Sequence, residues 1–176
     1  PLRSIATGRP PNYQLPPHLS YHMFLSHTWA SGQDQVAVIK RTLCQMLPSV
    51  KVFLDVDDLD DIDKLEDHVH ASALLLVFLS RNYFLSRNAL RELKCALNEE
   101  AQIPLVLVHD FQGSGRAPLE ELQAQCPAEM RSDVFDGRGR HAHAACGPVL
   151  RKRRGGALAA ATGCPGRAHG QARAMA

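Results

Sequence analysis

The chain has 176 residues, 20 of them Lys or Arg and 18 Asp or Glu, which gives a formal net charge of +2 at pH 7. That length holds one ordinary domain of about 100–150 residues and little more. No stretch approaches the roughly 18 consecutive apolar residues of a membrane span, no basic-then-apolar secretion signal opens the chain, and the five cysteines (Cys44, Cys95, Cys126, Cys146, Cys164) form no CxxC pair, which argues against a membrane protein, a disulfide framework and a zinc site. A reducing, cytoplasmic compartment is the expectation. Pro1 in place of Met adds the expectation of a fragment or processed piece.

The charge is unevenly divided. Residues 137–176 contain seven Arg, one Lys and no acidic residue, which leaves the first 136 with twelve basic and eighteen acidic side chains. The same forty residues hold eleven Ala and eight Gly, with only Val149, Leu150, Leu158 and Met175 able to anchor a core. Such a segment buries too little apolar surface to offset its ordering entropy, so 137–176 reads as a basic, Ala/Gly/Arg-rich disordered tail. The run RKRR at 151–154 has a sharper reading as a nucleic-acid, membrane or nuclear-import patch. A solvated tail is the simpler one, and neither membrane nor nucleic acid is expected as a partner.

Residues 1–19 carry five prolines (Pro1, Pro10, Pro11, Pro16, Pro17) without periodicity and read as an irregular leader or linker. The run Tyr21 to Leu25 is apolar-rich and stops at Ser26-His27-Thr28-Trp29, as a buried strand ending in a loop would. Val36, Ile39, Leu43, Met46 and Leu47 then recur at helical spacing until Pro48 ends the pattern. Val50 to Asp55 predicts a second strand, an Asp-rich stretch follows to Asp63, and Ile62, Leu65 and Val69 mark a short second helix. The run Ala73 to Leu79 lacks alternation, the pattern of a central parallel strand covered on both faces. A third helix with Leu90, Leu93, Leu97 and Ala101 on one stripe precedes a fourth strand at Pro104 to Val108. After His109 there is a Gly-rich turn and one or two short helices over 118–134. Alternating strands and helices specify a parallel sheet with right-handed crossovers, hence a flavodoxin-like, doubly wound α/β domain over 20–136. Its expected strand order is 2-1-3-4-5, with the fifth strand in doubt.

In such a sheet the ligand crevice lies beyond the carboxyl ends of the strands, where the strand order reverses between strands one and three. The flanking loops are 26–33 and 80–87. The groups converging there are Ser26, His27, Thr28, Trp29, Ser80, Asn82, Tyr83 and Glu92, a set suited to ribose hydroxyls, phosphate and a heteroaromatic ring. Each has a plainer reading. Ser26 and Thr28 are ordinary loop residues, Ser86 or Asn88 is an N-cap, Trp29 is a packing residue, and Glu92 is a surface carboxylate facing a helix dipole. His68 with His70 and His141 with His143 are joined by no Cys or carboxylate cluster at ligand spacing, and the Asp-rich stretch lacks the glycine and closing glutamate of a calcium loop, so no metal is expected.

The segment YHMFLSHTW resembles the first conserved box of Toll/interleukin receptor (TIR) domains, in which a strand ends in Phe, an aliphatic residue and Ser. VFLSRNYFLSRNALRELKCAL resembles the TIR stretch of strand, aromatic turn and Glu-bearing helix, and VKVFLDVDDLDDI resembles the second strand with its acidic loop. Three segments in order over about 90 residues make the resemblance, closest to plant-like and algal TIR modules. It implies a signalling module that associates with other TIR domains and hydrolyses NAD, as substrate rather than cofactor, to nicotinamide and ADP-ribose. Glu92 matches the catalytic glutamate, and Ser26, His27, Thr28, Trp29, Ser80, Tyr83 and Asn88 are the implied binding residues. A carboxylate suits the oxocarbenium-like ribose of that reaction.

Three departures bear on this reading. Asn88 and Ala89 stand where the family has Trp and Cys, and the loop after the second strand is short and lacks the usual Gly or Pro. The abrupt composition change after about Gly137 suggests a wrong reading frame, with loss of the fifth strand and an exposed fourth. A non-catalytic interaction module is therefore the alternative function. A phosphoacceptor receiver on this fold needs acidic residues where Ser26-His27 and Ser80-Arg81 stand, and is rejected.

Overall fold

The computed structural model describes residues 2–5, 7–9, 11, 13–54 and 64–136. The Asp-rich stretch 55–63, the expected fifth strand and the basic tail all lie outside them. Four parallel strands form one sheet: β1 (Met23–Ser26), β2 (Val52–Phe53), β3 (Leu75–Leu79) and β4 (Leu105–His109), in the order β2-β1-β3-β4. This is the flavodoxin-like arrangement, and the chain reverses direction across the sheet between β1 and β3. Registers are Phe24 with Leu75 and Ser26 with Val77 on one side of β3, and Leu75 with Leu105 through Leu79 with His109 on the other.

Every residue of β3 is buried, which accounts for the run without alternation. Leu75, Val77 and Leu79 face one layer, with α2 (Leu65–His70), α3 (Arg87–Leu97), α4 (Leu119–Gln125) and α5 (Ala128–Phe135). Leu76 and Phe78 face the other, with Leu25, Val52, Leu54 and Val36 of α1 (Trp29–Met46). Burial on both faces is the main stabilisation, about 1.5–3 kcal/mol for each large apolar side chain.

Two sequence expectations need correction. The first helix starts at Trp29, not near Val36, so the loop after β1 is only His27 and Thr28. On α3 the core face is Ala89, Glu92, Leu93 and Ala96; Leu90 and Leu97 are only partly buried, and Ala101 lies past the helix end. Small alanines carry little hydropathy signal, so the leucines pulled the expected stripe off its true centre. Ser86 is the N-cap, its Oγ accepting from the Ala89 N–H at 3.4 Å, one of the two caps anticipated.

Candidate functional site

The carboxyl ends of β1 and β3 carry the polar residues expected there, but the sheet divides them between its two faces. On the α3 face, Ser26 at the end of β1 meets Tyr83, which opens a 3-10 turn (Tyr83–Leu85) after β3. Asn82, in the left-handed conformation with φ 62°, makes the bend into that turn, a conformation Asn tolerates better than most residues. The Ser26 and Tyr83 hydroxyls are 2.6 Å apart and both residues are fully buried. Glu92 on α3 is only 2 % exposed. It acts on Tyr83: the phenol is pushed far above its ordinary range first by burial and then by Glu92, with the Ser26 hydrogen bond working the other way. Tyr83 therefore stays protonated at any physiological pH.

On the α1 face are Ser80 and His27, both buried. Gly32 brings α1 close to the end of β3; a Cβ there would meet the Phe78 ring at 3.0 Å and Ser80 Oγ at 3.1 Å. Ser80 Oγ lies 2.9 Å from Ser31 Oγ. Asp110, next to Ser80 through the bond from its N–H to the Leu79 carbonyl, is buried at the end of β4 and accepts from the Gly113 N–H at 2.6 Å. Neither Ser31 nor Asp110 was singled out from the sequence. A serine in a polar run and an aspartate before a glycine-rich turn carry no distinguishing signal.

The plainer readings of two residues do not survive. Glu92 is no surface carboxylate meeting a helix dipole, since it is in the interior. Trp29 is not a buried core residue, since it is 57 % exposed at the first position of α1. Tyr83, one of the implied binding residues, has its ring buried against Phe84 with centroids 5.1 Å apart; what it offers is a protonated hydroxyl. Thr28 is largely buried as the N-cap of α1, and Asn88 is half-buried one turn before Glu92, on the same side of α3. His68, considered with His70 for metal, is stacked on Phe53 with ring centroids 4.4 Å apart.

The arrangement is thus a doubly wound α/β module with a buried carboxylate and hydroxyl cluster at the strand-order reversal. Residues 23–140 match the family model of the TIR domain, and the chain belongs to the TIR domain family. No curated protein sequence matches it. Among solved structures, a metazoan TIR-STING receptor from C. gigas aligns at TM-score 0.51 and 16 % identity, over 69 % of this chain and 38 % of that one. The TIR domain of the Toll-related receptor TRR-2 from Hydra magnipapillata aligns at TM-score 0.43 and 12 % identity, over 69 % of this chain and 100 % of that one. The TIR domains of the activated Roq1 resistosome align at TM-score 0.48 and 20 % identity, over 69 % and 76 % respectively. The likeness to the first is one of fold, and this chain spans well under half of its length. No helix among the described residues is long and apolar enough to cross a membrane.

Proposed function

We propose that this TIR domain is a cytoplasmic signalling module that associates with other TIR domains and hydrolyses NAD to nicotinamide and ADP-ribose, with Glu92 as the carboxylate that faces the ribose. The observation that carries the reading is the burial of Glu92 beside the Ser26–Tyr83 pair, at the crevice where doubly wound sheets take their ligands. A carboxyl group is costly to bury, so its retention in a core face made otherwise of Ala and Leu speaks for a use.

In the proposed step the bond between the ribose C1′ and the nicotinamide nitrogen breaks, and the ring leaves with the bonding electrons as neutral nicotinamide. Water adds to C1′ and gives up a proton. Positive charge on the ribose is largest in the transition state, and a fixed carboxylate in a water-poor site stabilises it with little reorganisation. Tyr83 and Ser26, both able to donate, hold the neighbouring polarity. Trp29 supplies an exposed ring at the crevice mouth. Because Glu92 is closed off in the free domain, association with a second TIR domain is assigned the role of opening the crevice.

The alternative, a non-catalytic interaction module, draws support from Asn88, which stands where the family has a tryptophan and offers no ring to stack on nicotinamide. The deciding measurement is release of free nicotinamide when concentrated protein is incubated with NAD, with Glu92→Gln alongside. The catalytic reading expects release that falls by about a hundredfold or more in the variant, roughly 3 kcal/mol of transition-state stabilisation. Equal release by parent and variant would remove Glu92 from the mechanism. No release by the parent would leave the interaction module.

A further inference from the structure

We propose that Ser31 is a positioning residue: it ties the first turn of α1 to the loops that follow β3 and β4, and so fixes Trp29 at the crevice mouth, where it sets affinity for the substrate's ring. The affinity clause rests on the NAD reading above; the tie does not.

The first turn of α1 has little holding it from within. Its N-cap, Thr28, makes no side-chain capping bond, and the turn contains no acidic residue to meet the helix dipole. The Thr28 Oγ1 has no hydrogen-bond partner among the described residues. A helix start left in this way frays unless something outside it holds the exposed N–H groups and the turn that carries them.

Ser31 supplies the hold. Its Oγ is 2.8 Å from the Arg81 carbonyl and 2.9 Å from Ser80 Oγ. A serine has one hydroxyl proton, and a carbonyl only accepts. Ser31 therefore donates to Arg81, and Ser80 donates to Ser31, so each proton is assigned and the loop after β3 is bound through two successive residues. The loop after β4 closes on the same point. The Arg81 N–H donates to the Gly115 carbonyl at 2.7 Å, and Gln35, one turn further along α1, donates from Nε2 to Ser114 Oγ at 3.1 Å. Gly115 itself lies against the Ser31 backbone; a Cβ at that position would be 1.8 Å from the Ser31 carbonyl oxygen. No side chain fits there without moving backbone.

Trp29 is two residues before Ser31 in the same turn, so the placement of its ring follows the tie. It is also the chain's single tryptophan, and its fluorescence reports that turn alone. The loop after β4 is therefore a seat for α1, and Ser31 is the pin between them.

The test compares the parent with Ser31→Ala, Ser31→Thr and Gly115→Ala, reading Trp29 anisotropy, steady-state kinetics with NAD, and melting by far-ultraviolet circular dichroism. Ser31→Ala and Gly115→Ala are expected to lower Trp29 anisotropy. Ser31→Ala should raise KM about fivefold or more while kcat stays within about twofold, the pattern of a lost stacking contact made equally in the ground and transition states. Ser31→Thr keeps the hydroxyl and should return both readouts most of the way to the parent. Unchanged anisotropy in Ser31→Ala, or a fall in kcat at constant KM, overturns the proposal. The two readings fail separately: no nicotinamide from the parent with a loosened Trp29 in Ser31→Ala leaves the tie standing without the hydrolase. A hydrolytic parent matched by Ser31→Ala in anisotropy and KM leaves the hydrolase standing without the tie.

Discussion

The Tyr83 hydroxyl lies 2.6 Å from Ser26 Oγ in the interior of the sheet's carboxyl edge, joining the end of β1 to the 3-10 turn after β3. With Glu92 raising the tyrosine's proton affinity from the α3 side, three elements meet at one hydrogen-bonded pair.

Removing either hydroxyl leaves its partner buried and short of a bond. Tyr83→Phe and Ser26→Ala are each expected to cost about 1–3 kcal/mol in urea denaturation. Because they share the same bond, the double variant should cost less than the sum, with a coupling of about 0.5 kcal/mol or more. Strict additivity would mean that the pair is not a bond in solution.

On α3, Arg91 donates to both oxygens of Glu66 on α2 at 2.8 Å. This holds the Glu66 carboxyl below its ordinary value of 4.5. A carboxyl lowered on folding contributes stability above its unfolded value and loses it as pH falls through the lowered folded one. Both side chains are about a third exposed, so the contribution is discounted: Glu66→Gln should cost under about 1 kcal/mol at pH 7. The gap between parent and variant should close as pH drops below 4.5. A gap that persists unchanged into that acid range would assign the loss to packing instead.

Next to this pair, the Cys95 thiol is 3.3 Å from His70 Nε2 and is pushed up to about 11, by burial first and then by the charges of Glu66 and Asp67. At pH 8 only about one molecule in a thousand would carry the thiolate. Iodoacetamide should therefore modify the exposed Cys44 well before Cys95, as read by peptide mass spectrometry. Glu66→Gln should quicken Cys95 modification. Equal rates for Cys44 and Cys95 in the parent would show that α2 and α3 open readily.

Much of this fold can be read from hydropathy alone, because each strand is a short apolar run bounded by turn residues and β3 is buried on both faces. The location of the candidate site at the carboxyl ends of β1 and β3 also follows from the strand order. Its interior does not. Glu92 reads as a surface residue because a carboxylate contributes nothing to an apolar stripe, and Ala89 and Ala96 contribute too little to show that the stripe is centred beside it. The start of α1 is equally silent, since the turn from Trp29 to Gly32 is held by Ser31 against residues about 50 positions away. Tertiary contacts of that range leave no periodic trace, and so the helix is detected only once Val36 begins its apolar face.

Stability and activity should move in opposite senses at Glu92. A charge kept in an interior costs desolvation energy, and a residue retained for chemistry is commonly one whose replacement leaves the fold as stable or more so. Glu92→Gln keeps the shape and an acceptor oxygen and removes the charge, which also removes one cause of the raised Tyr83 proton affinity. The variant is therefore expected to unfold at the same urea concentration as the parent or a higher one, while its nicotinamide release falls. Urea titration followed by circular dichroism, run beside the nicotinamide assay on the same preparations, gives both numbers. If instead Glu92→Gln loses more than about 2 kcal/mol, the size associated with breaking a buried polar network, Glu92 is a structural member of the core and its burial no longer argues for catalysis.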